Sequence, residues 1–175
     1  MKKRISLIIL ILIILSSSIV IFQYLSLQDN TKLTIKTEEI QNEWHAIDTN
    51  MQSLNRLSTV TNEKYSKITS NRTYYENANK LNSEYLIAIN KNDKYKLYKK
   101  NKESIDEVNT YQKNSKDHSN DPLLTFLLTN SNKLIKTIDI QVEDYNKKIK
   151  EYKKITNKIT LKTQKRNNSN LIQLD

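Results

Sequence analysis

The first feature of the chain is an apolar run without a charge, Ile5 to Leu27, preceded by the basic stretch Met1 to Arg4. At 1.5 Å per residue such a run makes a helix of about 34 Å, long enough to cross a hydrocarbon core of about 30 Å. After it the pattern becomes periodic. Ile40, Trp44, Ile47, Met51 and Leu54 follow a 4-3-4-3 spacing, which keeps one stripe of a helix facing one partner. Leu57, Val60, Tyr65 and Ile68 extend it less regularly. A second stripe runs through Ile138, Val142, Tyr145, Ile149, Tyr152, Ile155 and Ile159, and a thinner, more aromatic one through Leu81, Tyr85, Ala88, Tyr95, Leu97, Ile105, Val108 and Tyr111.

The pattern predicts a spanning helix over 5–27, then helices over 30–68, 72–113 and 122–163. Polar runs set the boundaries. Thr69, Ser70 and Asn71 can cap a new helix, and the stretch 113–121 ends in Asp121-Pro122, an N-cap carboxylate followed by proline at the first helical position. The basic end, 147–166, suits the negative pole of a helix dipole, and 167–175 reads as a frayed tail. The expected fold is all-α: an N-terminal transmembrane helix, then an elongated antiparallel three-helix, coiled-coil-like bundle. The corresponding domains are a basic cytoplasmic N-terminus (1–4), a transmembrane signal anchor (5–27), a helical bundle domain (28–166) and the tail (167–175). Trp44, Tyr145 and Tyr152 lie on the stripes and are expected in the core.

Two further features of the leading segment set the topology. Ser16, Ser17 and Ser18 are its one cluster of small residues, and Ile19 to Phe22 resumes the apolar run beyond them, so an uncleaved anchor is favoured over cleavage after the serines. Lys2, Lys3 and Arg4 on one side, against Lys32 and Lys36 near the other, place the N-terminus in the cytoplasm and the bundle outside.

Composition sharpens this picture by exclusion. The chain has no glycine and no cysteine, and Pro122 is its single proline, the profile of long helices. Phosphate-cradling loops and dinucleotide folds need glycine where backbone approaches phosphate, so nucleotide chemistry of those kinds is excluded. Disulfides, thiolate metal sites and an acylated lipoprotein cysteine are excluded too. The formal net charge is +10, of which +7 remains for residues 28–175 once Lys2, Lys3 and Arg4 are removed. That balance attracts anionic polymers or lipid headgroups.

Candidate chemistry is sparse. His45 and His118 have no E-x-x-H pair, the spacing of di-iron sites in helical bundles. The carboxylates Glu38, Glu39 and Glu43, and Asp139, Glu143 and Asp144, share helix faces and read as solvated charge. The basic-aromatic stretch 91–102, with Tyr95 and Tyr98, has the residue types of a nucleic-acid surface. Its tyrosines also complete a helical stripe, with lysine stems covering apolar area, and that reading is preferred.

Trp44–Asp48, WHAID, has a W-x-x-I-D pattern on the first helix after a short N-terminal span, and VEDYNKKIKEY places Val142, Tyr145, Asn146, Ile149 and Tyr152 on a late helix. In both motifs the chain resembles the LemA family. Gln52-Ser53-Leu54 stands where that family carries a basic triplet, and Tyr152-Lys153 replaces its second Tyr-Asn pair. The resemblance implies a membrane-anchored antiparallel helical bundle with no assigned catalytic residues.

The expected function is a non-enzymatic, membrane-anchored helical interaction or scaffold protein of the bacterial cell envelope, with no catalytic, cofactor-binding or metal residues. Its expected partners are the membrane, through a single span, and a protein partner or a second copy through the helices, with no nucleic acid. Two alternatives are a basic bundle that binds anionic envelope polymers or lipid headgroups, and a helical protein secreted after signal cleavage.

Overall fold

A computed structural model describes the backbone of residues 2–115 and 121–169 and the side chains of residues 17–115 and 121–160. Four helices follow one another: α1 (Lys2–Thr69), α2 (Thr73–Ile87), α3 (Lys91–Asn114) and α4 (Pro122–Ser169). They form two compact units, Met1–Gln41 with Lys147–Asp175, and Asn42–Asn146.

The second unit is a four-helix bundle. Its core follows the predicted spacing more strictly than the apolar residues alone do. On α1 the buried positions Ile47, Met51, Leu54, Ser58, Thr61 and Tyr65 make an unbroken 4-3-4-3-4 series, with Asn55 and Asn62 buried beside it. Leu57 and Val60, expected to extend the stripe, do not occupy it; Val60 is 48% exposed. Ser58 and Thr61 take the inward positions because the helix keeps its heptad register. On α4 the stripe starts well before Ile138, at Leu124, and passes through Leu128, Ser131 and Ile135.

A polar layer crosses this core. Asn101 donates its side-chain amide to Asn55 Oδ1 and to the Leu97 carbonyl. Asn62 binds the Ser58 carbonyl at 2.9 Å and accepts from the Ser104 hydroxyl at 3.1 Å. Buried asparagines in a helical seam stabilise less than leucine does but fix which residues meet. Cross-helix bonds give the directions. Thr59 meets Ala78, so α2 returns along α1; Asn55 meets Asn101 and Asn62 meets Ser104, so α3 runs with α1. Asn109–Asn132 and Lys102–Asp139 set α4 antiparallel to α3.

The expected three-helix arrangement is corrected here, because the helix expected over 72–113 is two helices. Ala88 and Asn90 are extended (ψ 124° and 151°), and Asn90 caps α3 by accepting from the Asp93 backbone N–H at 2.8 Å while its amide donates to the Asp93 carboxylate. This reciprocal cap can be read in the sequence as Asn-Lys-Asn-Asp. The preceding corner is also a specific motif. Ser70 is left-handed (φ 55°), and the Asn71 N–H reaches the Ser66 carbonyl at 3.1 Å, the longer bond of a Schellman cap. A chain without glycine must place a residue with a Cβ there.

The predicted α4 start holds. The Leu124 N–H donates to the Asp121 carboxylate at 2.8 Å, and Lys64 pairs with Asp121 at 2.8 Å. Lys64, then the Leu124 N–H, hold this carboxyl below its usual range.

In the first unit, Lys36 lies between Glu39 (3.5 Å) and Glu151 (3.0 Å), and Glu151 raises its pKa. A shallow groove there is lined by Asp29, Lys32, Ile155, Lys158 and Ile159. Residues 27 and 30 fall within one continuous helix, α1, so the predicted span and first helix are not separated by a break. Among the described residues no helix is long and apolar enough to cross a membrane. Residues 5–16, over half of the predicted span, have side chains outside that description. Helix α4 extends past the predicted end at 163 to Ser169, and the rest of the expected tail lies outside the described residues.

Candidate functional site

Around the α2–α3 break, the motif residues at the two ends of the sequence come together. Trp44 on α1 and Tyr145 on α4 have ring centroids 5.7 Å apart, tilted by 53°. Lys91, the first residue of α3, sets its ammonium 5.0 Å from the Trp44 centroid and 5.1 Å from that of Tyr145. The Tyr145 hydroxyl accepts from Lys91 Nζ at 2.8 Å. The Trp44 ring quadrupole attracts this cation from one side, and the Tyr145 hydroxyl holds it from the other.

One turn along α1 from Trp44, Asp48 is the centre of a second group. The Tyr85 hydroxyl donates to its carboxylate and lies 3.2 Å from its carbonyl, while Lys94 Nζ pairs with the other carboxylate oxygen at 2.7 Å. Lys94 also lies 5.5 Å from the Tyr85 ring centroid. Burial, then the bond to Asp48, raise the pKa of the Tyr85 phenol. It is therefore a protonated donor at neutral pH, the opposite of an activated phenolate. The W-x-x-I-D pattern is thus three structural functions in one turn: Trp44 stacks, Ile47 fills the core and Asp48 ties α1 to α2 and α3.

The basic-aromatic stretch 91–102 turns Leu97, Tyr98 and Asn101 inward and leaves Lys91, Lys96, Lys99 and Lys100 exposed. Tyr98 is buried, and its hydroxyl donates to Asp139 at 2.7 Å. Lys102 pairs with the same carboxylate at 2.6 Å. Asp139, expected as solvated charge, thus links α3 to α4. His45 is exposed and His118 lies outside the described residues. Among the described residues no group of three or more histidine or carboxylate side chains is placed to hold a metal ion.

The inter-helix roles of Tyr85, Lys91 and Lys94 have no signal in their own stretches of sequence. Their partners lie on other helices, and each had a local reading as stripe or surface. No protein-family model, no curated protein and no solved structure matches the chain.

Proposed function

We propose that this chain is a single-pass, membrane-anchored helical protein of the bacterial cell envelope that works by binding and not by catalysis. One observation carries the anchor. The end of the apolar run that is described, Ile19 to Leu27, exposes apolar side chains all round the helix: Ile19, Val20, Ile21 and Phe22 are each at least 41% exposed, as are Tyr24, Leu25 and Leu27. A helix apolar on every face belongs in a core or in lipid. The bundle supports the binding role, since Asp48, Asp121 and Asp139 and the phenols of Tyr85 and Tyr98 are engaged in joining helices. The meeting of Trp44 and Tyr145 favours a LemA-like arrangement, because it brings together the two motifs that carry the resemblance.

The test is extraction of membranes with alkaline carbonate. The full chain stays in the pellet, and a variant with Ile21→Lys and Leu25→Lys is released. Release of the unaltered chain would refute the anchor.

A further inference from the structure

The α2–α3 break has an outer side as well as the cluster on its inner side. Leu86, Ile87 and Ile89 are 55%, 79% and 96% exposed. Ala88 is extended and Asn90 starts the next helix, so the three aliphatic side chains stand on a knuckle between two helix ends. Single exposed apolar residues are ordinary, whereas three within four positions, one almost wholly in solvent, form a patch that ordinarily meets something. What surrounds them is basic. Residues 80–100 carry six lysines, Lys80, Lys91, Lys94, Lys96, Lys99 and Lys100, against Glu84 and Asp93, a net of +4, or +3 once Asp48, the partner of Lys94, is counted. Lys96, Lys99 and Lys100 are exposed on the α3 turns that follow the knuckle. Lys96 approaches Asp93 only to 3.7 Å, with both side chains more than half exposed, an arrangement that leaves its charge available.

We propose that this knuckle is a membrane-surface contact: Leu86, Ile87 and Ile89 enter the headgroup region of an anionic bilayer while the lysines of α3 meet its phosphates. Aliphatic tips backed by lysines combine the two terms that hold a segment at a lipid interface, buried apolar area and attraction to anionic headgroups. The cluster beneath supports the knuckle mechanically. Lys91 between Trp44 and Tyr145, and Tyr85 and Lys94 on Asp48, fix the last turn of α2 and the first of α3 to α1 and α4. The presence of a bilayer near the chain rests on the anchor proposed above. The contact itself does not need it.

The absence of native cysteine allows one fluorophore to be placed at will. Full-length Ile89→Cys protein carrying bimane is reconstituted into vesicles of phosphatidylcholine, alone or with one third phosphatidylglycerol, each with a doxyl-labelled lipid as quencher. The expected result is strong quenching at position 89 in the anionic vesicles and weak quenching in the neutral ones. A label at Thr137→Cys, on exposed α4, stays bright in both. Added Leu86→Ser and Ile87→Ser abolish the quenching. Replacing Lys96, Lys99 and Lys100 by Gln lowers the equilibrium constant for the interface-bound state by about fivefold per lysine. Circular dichroism confirms that these surface variants keep their helices. No quenching at 89, equal quenching in both vesicle types, or equal quenching at 137 would each overturn the proposal. Failure of the anchor reads separately, as protein washed from neutral vesicles by carbonate whatever happens at position 89.

Discussion

Tyr85→Phe tests the Asp48 network with a change of one oxygen atom. The ring of Tyr85 is 2% exposed, so phenylalanine fills the same space and the core keeps its volume. What is removed is a part-buried hydrogen bond to a carboxylate, a kind worth about 1.5–3 kcal/mol in general. Lys94 stays at 2.7 Å from Asp48, so the carboxylate is not left as an uncompensated charge. A second consequence appears in alkali. The folded-state pKa of Tyr85 is raised above the ordinary 10.0, so above pH 10 the unfolded chain releases this proton first. The stabilisation is fully present below that pH and is lost as pH rises toward the folded-state value. The difference between the native protein and the variant therefore narrows by about 1 kcal/mol between pH 10 and pH 11. Tyr98, raised by burial and by Asp139, titrates alike in both proteins and cancels. Urea unfolding of the full-length protein at pH 8, 10 and 11, followed by circular dichroism, gives the difference at each pH. A difference that is constant with pH, or tyrosinate absorbance showing all ten tyrosines of the folded protein ionising together near pH 10, would refute the reasoning.

Three other outcomes follow from the same contacts. Asn101→Leu leaves Asn55 Oδ1 without its donor in the core and destabilises by about 1–3 kcal/mol, whereas the double change Asn55→Leu with Asn101→Leu recovers most of that; equal loss in both variants would argue against the paired layer. Ser70→Gly relieves a left-handed residue that carries a Cβ and raises the melting temperature, by up to about 1 kcal/mol of stability, while Ser70→Val lowers it. Ile47→Asp places a carboxylate at a position with no exposure and destabilises by several kcal/mol, against under about 0.5 kcal/mol for Lys150→Ala at an exposed site, both read by thermal unfolding.

The helical class, the start of α4 and the inward side of Trp44 and Tyr145, half-buried against the core, were legible because each depends on local signals: the lack of glycine, an Asp-Pro cap, a repeated 3-4 spacing. The same signals misplaced the inner face of α1 beyond Leu54. Hydrophobicity pointed to Leu57 and Val60, while the heptad register buried Ser58 and Thr61. Register is a property of the whole helix, and a small polar residue that bonds to the preceding turn can sit inside it, as Thr61 does with the Leu57 carbonyl at 2.8 Å. Glu43 shows the converse error. It was read as solvated charge, yet it is half-buried. The break at Ala88–Asn90 was missed because no glycine or proline marks it, although Asn90 and Asp93 form the cap. Tyr85–Asp48 and Lys91–Tyr145 join residues far apart in sequence, and nothing local to either partner announces the other.

The anchor with the bundle outside the cytoplasm is tested most directly at Ser115, next to the end of α3 and distant in sequence from the apolar run. Ser115→Cys would be the one thiol in the chain, open to a membrane-impermeant maleimide added to intact cells. Labelled protein in the membrane fraction before any lysis is the expected result. Labelling that appears only after the cells are broken would contradict it.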